Sequence, residues 1–175
     1  MPSIAIALVA VLVIGGVSAA AQTSLPGQPL YPIKVHINEN LEGAFALSDS
    51  MRADWDMGII SERLSEAQQL ASQGQLSAAA QTDITNNFDT HLYDIGSMIT
   101  KLKVAGNTTD AAKISAKFKA MLTGQQELLA SSSTQLSSAT QQALVPVVAE
   151  LQGALSAAAV LSSSTTTSVD ASVKK

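Results

Sequence analysis

The sequence contains no cysteine, and only 3% of its 175 residues are aromatic. The absence of cysteine excludes a disulfide framework, a thiolate nucleophile and a cysteine-based zinc site, so packing alone must stabilise the fold. Charged residues are also scarce, at 14%, and the ten lysines and arginines are scattered along a chain of net charge -4. Nucleic acid binding needs clustered basic residues that neutralise phosphates, so we expect no nucleic acid partner.

Charge is missing altogether before Lys34, and an uncharged apolar run extends from Ile4 to Val17. We predict that residues 1–21 form either a transmembrane anchor or a cleaved signal peptide, with a buried helix of a soluble fold as the remaining alternative. The anchor is the preferred interpretation, with the membrane as partner and a single-pass protein whose domain is extracytoplasmic; a cleaved signal would give a secreted protein. No basic residue precedes the run, and a start codon upstream of Met1 would account for that gap.

The residues after the apolar run carry a helical pattern. A Pro/Gly-rich juxtamembrane segment at residues 22–32 is followed by apolar residues at helical spacing over residues 33–161. Short links between such helices favour an all-α fold, an antiparallel bundle of four or five helices behind the N-terminal membrane or signal helix. Residues 162–175 lack a period and are predicted to be a disordered tail.

Two helix boundaries and one helix face are predicted in more detail. Gly74 and Gly106 lie just past the ends of two apolar stripes, where a left-handed residue commonly terminates a helix. At the N-terminal end, four apolar residues recur every fourth position and predict a helix that buries this face. They are Ile33, Ile37, Leu41 and Phe45.

The decapeptide LPGQPLYPIK at Leu25–Lys34 resembles the start of the bacterial domain of unknown function 5667. In that family the motif stands just outside a membrane segment and is followed by an amphipathic helix, a short break and a helix with an Arg-Leu-x-Glu-Ala type stretch. The corresponding segments here are Val35–Leu47, the break at Ser48–Ser50, and Glu62–Ala67. The resemblance implies a helical domain tethered to the outside of a bacterial membrane, in a family with no assigned chemistry.

Candidate catalytic and metal-binding residues are few. His36 and Glu39 lie three residues apart, and His91 and Asp94 repeat that spacing, so the two pairs could supply four ligands to one metal ion. We favour surface histidines near carboxylates and therefore expect no metal. The sequence has no Gly-x-Ser-x-Gly elbow, no phosphate-cradling loop and no His-Glu-x-x-His motif, so we expect no cofactor and no enzymatic activity. Asp54 and Asp56 would point away from each other on a helix, which predicts two solvated carboxylates.

Apolar residues of the predicted bundle have two interpretations. Phe45, Met51, Trp55 and Phe88 could line a pocket for a lipid or another apolar ligand, but core packing is the favoured interpretation. The preferred function is accordingly a membrane-tethered structural or interaction module whose polar faces contact an envelope protein. The alternatives are a secreted or periplasmic small-ligand or lipid-binding protein, and an extracytoplasmic metal or stress sensor. The sequence predicts no particular oligomeric state.

Overall fold

Long helices joined by short links make up most of this chain. A computed structural model describes residues 16–133 and 136–173, and these residues contain helices and no strand. The predicted all-α class is therefore confirmed. Most of the predicted anchor or signal segment, residues 1–15, lies outside the described residues, and residues 16–21 are helical.

The chain divides into two compact units between Leu47 and Ser48. In the first unit, one helical stretch consists of α1 (Tyr31–Ile33), a π-helical turn (Lys34–Asn38) and α2 (Glu39–Ala44). Residues 33–47, which the sequence pattern assigned to the bundle domain, belong to this first unit. The helical stretch packs with the segment before it, because its polar side chains hydrogen-bond to that segment.

The helical stretch of the first unit turns its polar side inward. Lys34 Nζ donates a hydrogen bond to the carbonyl oxygen of Ser24 at 3.4 Å. Asn38 Nδ2 donates to the carbonyl oxygen of Ser18 at 2.8 Å and to Oε1 of Gln22 at 2.9 Å. These bonds give partners to two backbone carbonyls and one side-chain amide oxygen that would otherwise need water. They therefore determine which face of the helix is buried.

The apolar face of the same stretch is exposed, contrary to prediction. Ile37, Leu41 and Phe45 are 55%, 60% and 67% exposed, and Ile33 is half-buried. Periodicity correctly placed these side chains on one face but could not tell which face turns inward. We call Ile37, Leu41 and Phe45 the outer stripe.

The second unit is a four-helix bundle. Its helices are α3 (Asp49–Ser72), α4 (Ala78–Val104), α5 (Thr108–Ser133) and α6 (Ser138–Val173). Each of the four contacts the other three, and the short links make successive helices antiparallel. The predicted bundle is confirmed.

Serines begin the first two bundle helices, and glycines end them. Ser48 Oγ accepts a hydrogen bond from the Met51 N–H, and Ser77 Oγ accepts one from the Ala80 N–H, each at 3.2 Å. The two predicted stop positions, Gly74 and Gly106, have φ of 65° and 81°. A residue with a Cβ would be strained there, so glycine fits both turns.

The last helix, α6, is longer than predicted. It continues through Val173, so the disordered tail predicted for residues 162–175 is helical as far as the structure describes it. No glycine or proline occurs between Ser162 and Val173 to stop it. Pro146 lies inside the helix and is exposed.

Part of α6 is long and apolar enough to cross a membrane. Among the described residues, Ser138–Ser162 is the stretch that meets this criterion, by length and composition alone. Its buried residues follow one another at alternating spacings of three and four, which is the pattern of a helix packed in a bundle. They are Leu144, Val147, Leu151, Ala154 and Ala158. We assign this stretch to the core of the second unit, since α6 contacts the other three helices.

Candidate functional site

A buried carboxylate–imidazole pair joins the first two helices of the bundle. Asp56 lies on α3 and His91 on α4, and Nδ1 of His91 is 2.8 Å from Oδ1 of Asp56. Asp56 is 0% exposed and His91 8%. A carboxylate is costly to bury unless it has a partner. The pair therefore constrains how α3 and α4 can pack against each other.

Asp56 reaches the core because of its position in the helical repeat. It follows Ala53 by three residues and precedes Ile60 by four, and both of these apolar residues are fully buried. Such spacings place residues on one face of a helix. The prediction of two solvated carboxylates is therefore wrong for Asp56. It describes Asp54, which is exposed and has its Oδ1 atom 2.6 Å from Nζ of Lys117.

The same rule explains the burial of His91. It follows Phe88 by three residues and precedes Ile95 by four, and both belong to the buried face of α4. The favoured interpretation of the histidines as surface residues is therefore wrong for His91, whereas His36 is exposed. The spacing contained a signal that was missed: an ionisable residue three or four positions from the apolar residues of a buried stripe lies on the same helix face and is buried with them.

Arg52 lies beside the buried pair and contacts it from the rim. Its Nε atom is 3.6 Å from Oδ2 of Asp56, and its Nη2 atom is 3.9 Å from Oδ2 of Asp94. The guanidinium also lies over the ring of Trp55, 4.4 Å from the ring centre. Trp55 in turn packs edge-on against His91, with ring centres 5.0 Å apart. The cation–π contact holds the guanidinium next to the two carboxylates.

A polar cleft of about 290 Å³ opens over Asp56. Three carboxylates and two basic groups line it, and this excess of negative charge favours a small cation over an anion. The lining residues are Asp49, Arg52, Asp56, Asp94, Ser97, Met98 and Lys101.

The four predicted metal ligands belong to two different units of the chain. His36 and Glu39 lie on the helical stretch of the first unit, and His91 and Asp94 lie on α4 of the second. Among the described residues, His91 and Asp94 are brought together with Asp56, and one ligand atom from each lies within 4.8 Å of the others. We call Asp56, His91 and Asp94 the metal-ligand cluster. Asp56 is the member that the sequence pattern predicted to be solvated.

The four residues proposed as core or ligand-binding residues have different environments. Phe88 is buried in the bundle, Trp55 is half-buried, Met51 is exposed, and Phe45 belongs to the outer stripe of the first unit. An apolar cleft of about 260 Å³ lies instead between α5 and α6. It is lined by Gln126, Leu129, Ala130, Gln141, Leu144, Val148, Leu151 and Gln152.

A second buried ion pair lies farther along α3. Nη1 of Arg63 is 2.8 Å from Oε2 of Glu66, and both side chains are almost completely buried. Arg63 follows Asp56 by seven residues, which returns it to the same face of the helix. The buried face of α3 therefore carries charged side chains at two positions along the helix.

Two acidic residues meet where α4 and α6 pack. Burial raises the pKa of Glu150, and the negative charge of Asp89 and a hydrogen bond between the two side chains raise it further. All three effects favour the protonated form of Glu150 over the ionised form.

Residues 23–173 match the model of a family described as Domain of unknown function (DUF5667). The chain belongs to this family, as its LPGQPLYPIK motif predicted. No curated protein and no solved structure matches the chain.

Proposed function

We propose that this DUF5667 chain is a membrane-tethered, extracytoplasmic interaction module that acts by binding an envelope protein and not by catalysis. The observation that carries this proposal is the outer stripe. Three large apolar side chains are exposed at i, i+4 and i+8 on a helix whose Lys34 and Asn38 side chains are buried and hydrogen-bond inward. An apolar face of this kind is typical of a helix that binds in a groove of a partner.

The position of the stripe in the sequence supports a role near a membrane. It begins 20 residues after Val17, the end of the uncharged apolar run that predicts an anchor or a signal peptide. A short folded unit at this place would hold the stripe close to the membrane if the run stays in the bilayer.

The charge of the helix favours a protein partner over the lipid surface. Helices that lie on membranes usually carry several lysines or arginines on their polar face. Between Tyr31 and Ala44 the one lysine or arginine is Lys34, which is buried, and the same stretch contains Glu39 and Glu42. This helix therefore lacks the charge that would attract it to anionic lipids.

The tether is tested by fractionating the tagged full chain from a bacterial host, with N-terminal sequencing of the recovered protein. We expect the chain in the membrane fraction with the apolar run intact. Recovery of a soluble chain that begins near Ala20 or Gln22 would show that the run is a cleaved signal and that the tether is wrong.

The stripe is tested by placing a photo-crosslinking amino acid at Leu41 in the same cells. The matched control has the crosslinker at Leu128, which is similarly exposed on α5. We expect a discrete protein adduct from position 41 that disappears in a variant with Ile37→Ser and Phe45→Ser, and no such adduct from position 128. Adducts with lipid alone at position 41 would overturn the protein partner in favour of the membrane surface.

A further inference from the structure

We infer that Asp56, His91 and Asp94 form a binding site for one divalent transition-metal ion. The three residues come from two helices that a buried contact already holds together, and one ligand atom of each lies within 4.8 Å of the others. This inference is independent of the proposed function, since it concerns the second unit and the outer stripe belongs to the first.

The distance between His91 and Asp56 suits two ligands of one ion. Metal bonds to imidazole nitrogen and carboxylate oxygen are about 2.0–2.2 Å long, so neighbouring ligand atoms lie roughly 3 Å apart. Nδ1 of His91 and Oδ1 of Asp56 are 2.8 Å apart. An ion can therefore bind both atoms with little movement of either helix, replacing their mutual hydrogen bond by two metal bonds.

The buried Asp56 carboxylate provides separate evidence for a ligand. Its Oδ2 atom is buried and accepts no hydrogen bond from any residue that the structure describes. A buried acceptor without a hydrogen bond usually costs stability. Asp56 also lines the polar cleft of about 290 Å³, which gives an ion and its water ligands a route to this residue.

The ligand types favour a transition metal over calcium or magnesium. Calcium and magnesium prefer oxygen ligands, whereas an imidazole suits zinc and the other first-row divalent ions. The side chains of Asp56 and Asp94 supply two negative charges, which balance the charge of a divalent ion.

Arg52 competes with a metal ion for the carboxylates of Asp56 and Asp94. Its contacts with Asp56 and Asp94, at 3.6 and 3.9 Å, are longer than hydrogen bonds. Because the guanidinium also stacks on Trp55, it can keep that contact while its weaker contacts with the carboxylates lengthen.

Thermal unfolding of the metal-free full chain, titrated with zinc or manganese chloride, tests the site. Magnesium chloride is the comparison. At a hundredfold excess over Kd we expect the Tm to rise by about 5–10 °C, with one ion bound per chain. An unchanged Tm with both transition metals, or an equal rise with magnesium, would overturn the inference.

Paired variants locate the binding. Asp94 is partly exposed, so Asp94→Asn should fold, and we expect it to weaken zinc binding by at least about tenfold. Asp54→Asn removes an exposed carboxylate from α3 outside the cluster and should bind zinc like the unaltered chain. Equal affinities of these two variants would show that the ion binds elsewhere.

The two histidines of the chain provide a second matched pair. His91→Gln should lose the zinc-dependent rise in Tm, and His36→Gln should retain it. Loss of the rise in His36→Gln alone would place the ion in the first unit and contradict the site on α3 and α4.

Discussion

The two hairpins of the bundle differ in what they bury. The first, α3 and α4, places Asp56, Arg63, Glu66 and His91 among its core residues. In the second, α5 and α6, the residues described as buried are apolar except for Ser115, whose hydroxyl donates to the carbonyl oxygen of Ala111. One bundle thus combines a hairpin with buried charge and a hairpin whose core is almost entirely apolar.

The two hairpins therefore contribute to the fold in different ways. An apolar core stabilises by removing surface from water, and its strength depends on volume and fit. Buried ion pairs add little net stability, but each requires its partner, so they restrict which residues can face one another. The charged hairpin is accordingly where the metal-ligand cluster and the polar cleft occur, and the apolar cleft is in the other hairpin.

The largest expected effect is in the charged hairpin. Replacing Arg63→Met leaves Glu66 buried without the guanidinium that is 2.8 Å away. Removing one member of a buried pair costs about 3–5 kcal/mol, so we expect the free energy of unfolding to fall by that amount. Urea denaturation of the full chain measures it.

The double variant Arg63→Met with Glu66→Leu is the control for this prediction. It removes both charges and keeps similar volume, so it should be more stable than Arg63→Met alone. If the double variant is no more stable than the single one, the loss of stability in Arg63→Met does not come from leaving the Glu66 charge without its partner guanidinium.

A slightly smaller effect is expected in the apolar hairpin. Leu122 on α5 is completely buried, and Leu122→Ala should lower the free energy of unfolding by about 2–4 kcal/mol through lost burial and a cavity. Leu128→Ala, an exposed position on the same helix, should change it by less than about 0.5 kcal/mol. If the two variants are equally stable in thermal and urea unfolding, the assigned core face of α5 is wrong.

The smallest effect concerns Glu150, where the two hairpins meet. Its pKa is raised in the folded state by burial and by Asp89, so the folded chain binds this proton more tightly than the unfolded chain. That contribution to stability is fully present below the ordinary glutamate range and is lost as the pH rises through the folded pKa. At neutral pH, Glu150→Gln should therefore be more stable than the unaltered chain, by less than about 1 kcal/mol.

The pH dependence distinguishes this effect from a general loss of negative charge. The gain from Glu150→Gln should disappear when thermal unfolding is measured at about pH 4, within the usual glutamate range. Glu127→Gln, on the exposed side of α5, is the matched control for removing one charge. A gain of the same size at both pH values would contradict the raised pKa of Glu150.

Periodicity and turn chemistry predicted most of the fold. The apolar spacings of three and four gave the four bundle helices, and the stops at Gly74 and Gly106 are where the chain turns with positive φ. Such features are local, because a helix face and a turn depend on residues within a few positions. The failures at Asp56, His91 and the outer stripe all concern which face or group is buried.

The sequence by itself determined that this chain is helical, where its bundle helices turn, and that it belongs to DUF5667. Only the tertiary structure decided which side chains face inward. Asn38 is buried because its amide hydrogen-bonds to the segment before it, and the apolar face of the same helix is exposed. His91 is buried together with Asp56, because the two side chains contact each other. The physical reason is that burial of a polar group depends on a partner distant in sequence, which the periodicity of its own helix does not contain.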